Sequence, residues 1–501
     1  MKNCVALILA VLMVLGLCAC NADAPGETTG STPAPTTTVT PTTTVAPTTT
    51  VPPTTAPPID GLFSAGYGKT DITPEERVPL RGDGKSDLRI SEFVLSNLYA
   101  TCLAVTDADG NTVLLFGLDL VNYSPDIMPP IMKSVSEATG VPVGNICFSA
   151  SHNHSAPDID NTKHDSIVKY NKMLEQRLVE AAVMAMSDRR PAEMFGATVE
   201  TESLNFVRRY LCMDGSYLGD NFGGGSMPVA HESEADASLQ LIKFVREGGK
   251  DIIMTNFQVH PLYAWGLRAV TSDVVGLCRD ALSEKLDCEV IYFTGASGNI
   301  TVTTRLYEKE VSYLKYGETM AGYALSAEES YRPIATGKVQ VSTYDFAAEV
   351  NHDATAEQAA LCKDLYTRWG AGEISTEELI KIGADNGITL RSAYHARAIY
   401  LRAEMEETNP VEMTVFSFGD AGFVVAPYEM FDTNGVFIKE NSPFEMTFIA
   451  TLANGYHSYI PSKLAWSHGG YEVDCCRYVE GTAEALADQY VAMLTELYQS
   501  K

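Results

Sequence analysis

The sequence predicts an α/β fold: a mixed sheet core with surrounding helices, and a site at the carboxyl ends of its strands. Three observations lead there. Stretches with apolar residues at helical spacing alternate with short continuous apolar runs, the pattern of a sheet covered by helices. There is no internal repeat, so a solenoid or propeller is excluded. Most of the apolar runs also end close to a histidine, carboxylate, asparagine or tyrosine, where α/β folds gather their ligands.

The elements follow in chain order. Lys2 supplies a short positive region, Val5 to Leu17 is an apolar run too short to span a membrane comfortably, and Leu17-Cys18-Ala19-Cys20 closes it. This predicts a signal peptide over 1–20. The Leu-x-Ala-Cys ending resembles the lipobox of bacterial lipoproteins, in which Cys20 becomes the lipid-modified N-terminus. The expectation is an exported protein, anchored to the cell membrane through Cys20 and facing the extracytoplasmic side. Residues 21–58 are almost entirely Thr, Pro, Ala, Val and Gly without an aromatic residue. Such a segment cannot bury enough surface to offset its ordering entropy, and proline keeps it extended at about 3.1 Å per residue. It reads as a disordered tether, followed by a folded part over 59–501.

Charge narrows the partners. With 36 basic against 64 acidic residues, the chain carries a formal charge of −28. That argues against nucleic acid, whose binding needs a basic face. Of the eleven cysteines, three lie within the first twenty residues, and the other eight form no CxxC pair. A cysteine zinc site is therefore not expected, and the spacing reveals no disulfide pairing.

Within the folded part, Ile167, Tyr170, Leu174, Leu178 and Ala182 predict an amphipathic helix over 165–187. Leu486, Tyr490, Met493 and Leu497 predict another near the C-terminus, with Thr482 as candidate cap. Region 355–405 reads as two or three helices whose apolar stripes are core rather than site. Strand-like runs are Val113 to Leu118, ending at Asp119, and Ile146 to Ala150, running into His152. Ile253 to Val259 ends at His260 before Pro261, and Val290 to Thr294 runs into Gly295-Ala296-Ser297-Gly298-Asn299. Phe423 to Ala426 leads to Glu429, and Met446 to Leu452 leads to Asn454 and Tyr459.

Ser151-His152-Asn153-His154-Ser155 is the first candidate metal element. Two histidines at i and i+2 after a strand can aim one imidazole at a metal and hold the other beside it, and imidazole is the commonest zinc ligand. An HxH pair also occurs in plain loops, and His260 read alone fits a hydrogen-bonded core histidine better than a ligand. Glu429, after an apolar strand, must be paired, coordinated or exposed.

Taken together these segments resemble the neutral (non-lysosomal) ceramidase family over nearly all of 62–500. The similarity is carried by 65–74 (AGYGKTDITP), 148–157 (FSASHNHSAP), Phe206-Val207-Arg208-Arg209-Tyr210 and Gln258-Val259-His260-Pro261 with Ser272-Asp273. Gly295 to Asn299, Ala426-Pro427-Tyr428-Glu429, 454–459 (NGYHSY) and Tyr471-Glu472 complete it. The resemblance implies one Zn2+ per chain held by His152, His260, Glu429 and Tyr459. It implies His154 as acid/base, Tyr471 as donor to the oxyanion and Arg208 as contact to substrate or developing charge. Asp119 and Asn299 are candidates for supporting those groups, with a purely structural role equally open.

Two departures stand out. The sequence ends after the helix that follows Tyr471, so the family's additional C-terminal sandwich domain is expected to be absent. The turn before the glutamate reads Ala-Pro-Tyr-Glu instead of the family's Pro-Gly-Glu form. The implied activity is zinc-dependent hydrolysis of a linear amide in a small amphiphilic lipid, with ceramide (N-acylsphingosine) the default. The alternatives are another N-acyl amide or ester, and a surface lipoprotein that captures a ligand without changing it.

Overall fold

Several strands are buried at every position, which suits strands covered on both faces. In β3 (Thr112–Leu118), Val113 and Leu115 point to one side, while Leu114, Phe116 and Leu118 point to the other. A computed structural model of the chain describes residues 61–82, 86–219 and 226–501. The segments read as signal peptide and tether, with Cys20, lie outside the described residues.

Nine strands form the larger sheet. Its main path joins β1 (Ser64–Asp71), β2 (Tyr99–Thr106), β3, β4 (Ile146–Ala150), β5 (Arg190–Glu200), β6 (Ser238–Arg246), β7 (Ile252–Phe257) and β8 (Glu289–Thr294) in the order 8-7-6-5-1-2-3-4, and Arg332–Ile334 pairs beside β5. A second sheet has β9 (Val339–Glu349), β10 (Thr408–Phe418), β11 (Ala421–Ala426) and β12 (Met446–Thr451) in sequence order. The mixed core is thus two sheets packed face to face. Leu103, Leu115, Phe244 and Phe293 of the first meet Phe416, Phe423 and Phe448 of the second.

Helices cover both outer faces. On the larger sheet lie α1 (Met128–Thr139), α2 (Asp165–Ser187), α3 (Asp273–Leu286) and α4 (Tyr313–Ser326). Between β9 and β10 the chain inserts α5 (Ala356–Gly370), α6 (Thr376–Asp385) and α7 (Ala393–Ala403), which share a small core of their own. The smaller sheet is covered by α8 (Asp432–Asn441) and α11 (Thr482–Gln499), with short helices α9 (Lys463–His468) and α10 (Tyr471–Cys475) between them. Each fully buried Leu or Phe in these layers contributes about 1.5–3 kcal/mol.

The helix predicted over 165–187 has those bounds. Thr482, expected as a cap, is instead the first residue of α11. Gly481, at φ 90°, takes the cap position, and the Thr482 hydroxyl donates to Val479 O at 2.8 Å. All eight described cysteines are free thiols. Among the described residues no helix is long and apolar enough to cross a membrane.

Candidate active site

Three strand pairs in these largely antiparallel sheets are parallel: β3 with β4, β7 with β8 and β11 with β12. Their carboxyl ends release the chain at one place. Threonines stitch them together there: Thr294 Oγ1 donates to Ser151 O at 3.0 Å, and Thr451 Oγ1 donates to Gly295 O at 2.9 Å. The loops that follow carry the predicted residues.

His152 sits two residues beyond β4 in the left-handed region, at φ 63°, a strained backbone that persists only where its surroundings enforce it. Asn153 enforces it here. Fully buried, it donates its backbone N–H to Leu120 O at 3.1 Å, accepts Ser155 N at 3.0 Å and ties its amide nitrogen to Thr271 O. The flanking imidazoles are thereby turned to one side. His152 Nδ1 donates to Val121 O at 2.7 Å, and His154 Nδ1 donates to Gly82 O at 3.1 Å. Gly82 is required there: its φ is 135°, and a Cβ would come within 2.8 Å of His154 Nδ1. His260, past the end of β7, has Nδ1 3.4 Å from Ser297 O.

With Nδ1 of His152 and of His154 donating to carbonyls, their Nε2 atoms are left as acceptors, and His260 Nε2 converges on them. His154 Nε2 lies 3.2 Å from His152 Nε2 and 3.0 Å from His260 Nε2. Glu429 Oε2, 3.3 Å from His152 Nε2, is buried without a hydrogen-bond donor. Burial above all, with the Arg208 guanidinium nearby, holds His154 and His260 well below the usual histidine range. Lone pairs facing one another beside an unsatisfied carboxylate are costly unless a cation satisfies them. His152, His154 and His260 thus form a group able to hold a metal ion. Imidazole nitrogens with one carboxylate suit a divalent transition metal such as zinc.

The remaining predicted residues converge unevenly. Tyr459 lies beside Glu429, and burial, followed by that carboxylate, raises its phenol well above the ordinary value. Arg208 Nη2 donates to the Tyr459 hydroxyl at 3.1 Å and to Gly298 O at 2.8 Å. Its Nε donates to Glu472 Oε1 at 2.9 Å, and its Nη1 lies 3.4 Å from His260 Nδ1. Arg208 is only 2% exposed, so it stands behind the site, holding Tyr459 and lying beside His260. Tyr471 faces the cavity with its ring 5.6 Å from that of Tyr459, and burial keeps its phenol protonated.

The supporting candidates act at a distance. Asp119 accepts from Arg279 Nη1 at 2.9 Å and Tyr99 N at 2.8 Å, fixing the end of β3 without touching a histidine. Asn299 Nδ2 donates to Asp432 Oδ1 at 2.6 Å, and its carbonyl accepts Arg208 N at 2.8 Å.

A cavity of about 290 Å³ opens over this cluster, lined by His152, His154, Glu429, Tyr459 and Tyr471. Its wall includes residues the sequence did not single out: Arg81, Asp158, Tyr366, Tyr394, Arg397 and Tyr456. Tyr456 donates to Glu429 Oε1 at 3.4 Å; its place between Asn454 and Tyr459 was the available signal. The apolar stripes of 355–405 form a small core, as expected, while other residues of the same helices do more. Tyr366, Tyr394 and Arg397 of the inserted helices reach the cavity, because an isolated tyrosine or arginine leaves an apolar stripe unchanged.

No family model matches the sequence, and no curated protein matches it. Solved structures do. The neutral ceramidase from Pseudomonas aeruginosa superposes with a TM-score of 0.65 at 15% identity, covering 88% of this chain and 75% of that one. A structure described as ceramidase complexed with C2 gives 0.64 at 15% identity, covering 88% and 76%. Two packed mixed sheets with the site at their parallel strand ends therefore give this chain a neutral-ceramidase-like fold.

Proposed function

We propose that the protein is a zinc-dependent hydrolase of linear amide bonds, with ceramide, cleaved to sphingoid base and fatty acid, as the substrate to test first. The observation that carries this reading is the convergence of three histidine Nε2 atoms and a donor-less Glu429 oxygen beneath a cavity. Likeness to solved ceramidases supports the choice of substrate.

His152, His260 and Glu429 would hold the ion, with Tyr459 as fourth ligand. When bound, zinc supplies Lewis acidity, lowering the pKa of water and polarising a carbonyl oxygen. His154 is the one member of the histidine cluster that is part-exposed. With Nδ1 fixed on Gly82 O, its Nε2 takes the proton from the attacking water and returns it to the leaving amine. Tyr471, held protonated, donates to the oxyanion of the tetrahedral intermediate. Arg208 positions Tyr459 and carries the balancing positive charge. Export and anchoring through Cys20 belong to the same proposal, and mass spectrometry of the mature N-terminus tests them.

The experiment is metal analysis and turnover on one sample. About one zinc per chain, with ceramide hydrolysis lost on chelation and restored by zinc, is the expected result. Full activity in metal-free protein overturns the metal reading. Zinc-loaded protein that cleaves other N-acyl compounds but not ceramide overturns the substrate. Bound ligand recovered intact overturns catalysis.

A further inference from the structure

Four side chains on the cavity wall are arginines or carboxylic acids: Arg81, Asp158, Arg397 and Glu429. Three are engaged. Arg81 Nη1 donates to Asp158 Oδ1 at 2.8 Å and to Asp160 Oδ2 at 2.6 Å, and Glu429 belongs to the metal cluster. Arg397 makes no hydrogen bond or ion pair among the described residues.

The rest of the chain gives that weight. Five deeply buried arginines, Arg208, Arg209, Arg279, Arg402 and Arg246, pair with a carboxylate, and a sixth, Arg89, donates to the carbonyls of Arg81, His154 and Leu267. With 64 acidic residues against 36 basic ones, carboxylates are not scarce. A part-buried guanidinium left open is costly unless something else neutralises it. Nor is Arg397 a drifting surface group. Ala393, Ala396 and Ile399 pin α7 into the core of the insert, and Tyr394, one turn earlier, packs edge-on to Tyr471 at 5.6 Å. Arg397 is therefore held in fixed relation to the groups around the metal cluster.

We propose that Arg397 anchors a subsite for an anionic group of the substrate, so that the amide cleaved here carries a carboxylate or phosphate. A planar guanidinium fork matches either group through paired hydrogen bonds, which a neutral hydroxyl does not return. The inference rests on the amide-hydrolase reading for its substrate, though not for its binding. The anion has two sources, a phosphate on a sphingoid head and the carboxylate of an N-acyl amino acid.

Zinc-loaded protein and its Arg397→Met and Arg397→Lys variants are assayed on N-acylsphingosine, its 1-phosphate, an N-acylglycine and a neutral N-acylethanolamine. The expected result is a kcat/KM ratio of anionic to neutral partner that falls about tenfold in Arg397→Met, through KM, and recovers in part in Arg397→Lys. The better anionic substrate names the source. A ratio unchanged by Arg397→Met overturns the subsite. If no amide is cleaved, titration of the same proteins with N-acetylglycine still decides: equal affinity for wild type and Arg397→Met overturns it, and loss of binding supports it while the hydrolase reading fails.

Discussion

Glu429 and Tyr459 stand opposite one another as Cα partners in a two-residue parallel ladder, with Met430 opposite Ile460. The ladder continues the parallel pairing of β11 with β12 after both strands have ended, joining two distant segments into one unit. A carboxylate and a phenol are delivered side by side to histidines arriving from the other sheet. The site is therefore a joint between the two sheets, held by short-range backbone geometry.

The joint predicts how metal is lost. His152→Ala and Glu429→Ala each remove a ligand from the proposed set. Both variants are expected to purify with little zinc and no measurable hydrolysis while keeping their circular dichroism. Tyr459→Phe keeps the ring and the ladder and should bind zinc more weakly. Zinc retained at full stoichiometry in Glu429→Ala would remove Glu429 from the ligand set.

His154 tests the division of labour. As proton carrier, its loss in His154→Ala should leave zinc bound and lower kcat by about 10²–10⁴-fold. Its Nε2 is nevertheless as close to the other histidines as they are to each other. If His154→Ala loses zinc as completely as His152→Ala, the ion is held by three histidines and the proton carrier lies elsewhere.

Much of this was legible in the residues, for a physical reason. Strand runs ending on His152, His260 and Glu429 could be read because a buried strand is apolar throughout, so a polar residue at its end stands out. That the core is two sheets could not be read: residues facing the second sheet and residues facing helices are equally apolar, as Leu114 and Leu115 show. Tyr394 and Arg397 were hidden because helical periodicity reports the buried stripe and is silent about what its edges touch. Arg208 was read as touching substrate, but only the fold shows Tyr459 and His260 standing in front of it.

Glu472 predicts a stability effect. It accepts from Arg208 Nε at 2.9 Å and from Arg209 Nη1 at 2.8 Å, with all three side chains buried. Burial raises its carboxyl pKa, but the two guanidinium groups outweigh burial and leave it below the ordinary glutamate value. Removing one partner of a buried ionic set costs about 3–5 kcal/mol, because the remaining charges stay buried. Glu472→Gln should therefore lower the unfolding free energy measured in urea by an amount in that range, with a lower midpoint, and loosen Tyr459 through Arg208. A midpoint within error of wild type would mean that solvent reaches the network.

Asp432 carries a pH signature distinct from that of the metal ligands. Burial, with Asp236 nearby, raises its carboxyl to about 6, although Asn299 and two backbone N–H groups favour the charged form. A folded-state value above the unfolded one means that the proton is bound more tightly in the native state. The stability this contributes is complete below about pH 4 and is lost as pH rises through 6, an amount of about 3 kcal/mol. Asp432→Asn fixes the neutral form and keeps an oxygen for Asn299. Its stability relative to wild type should climb between pH 4 and 6.5 and then level off. Chemical denaturation of both proteins across that range reads the difference directly, and a flat difference would show that Asp432 ionises without cost beside Asn299.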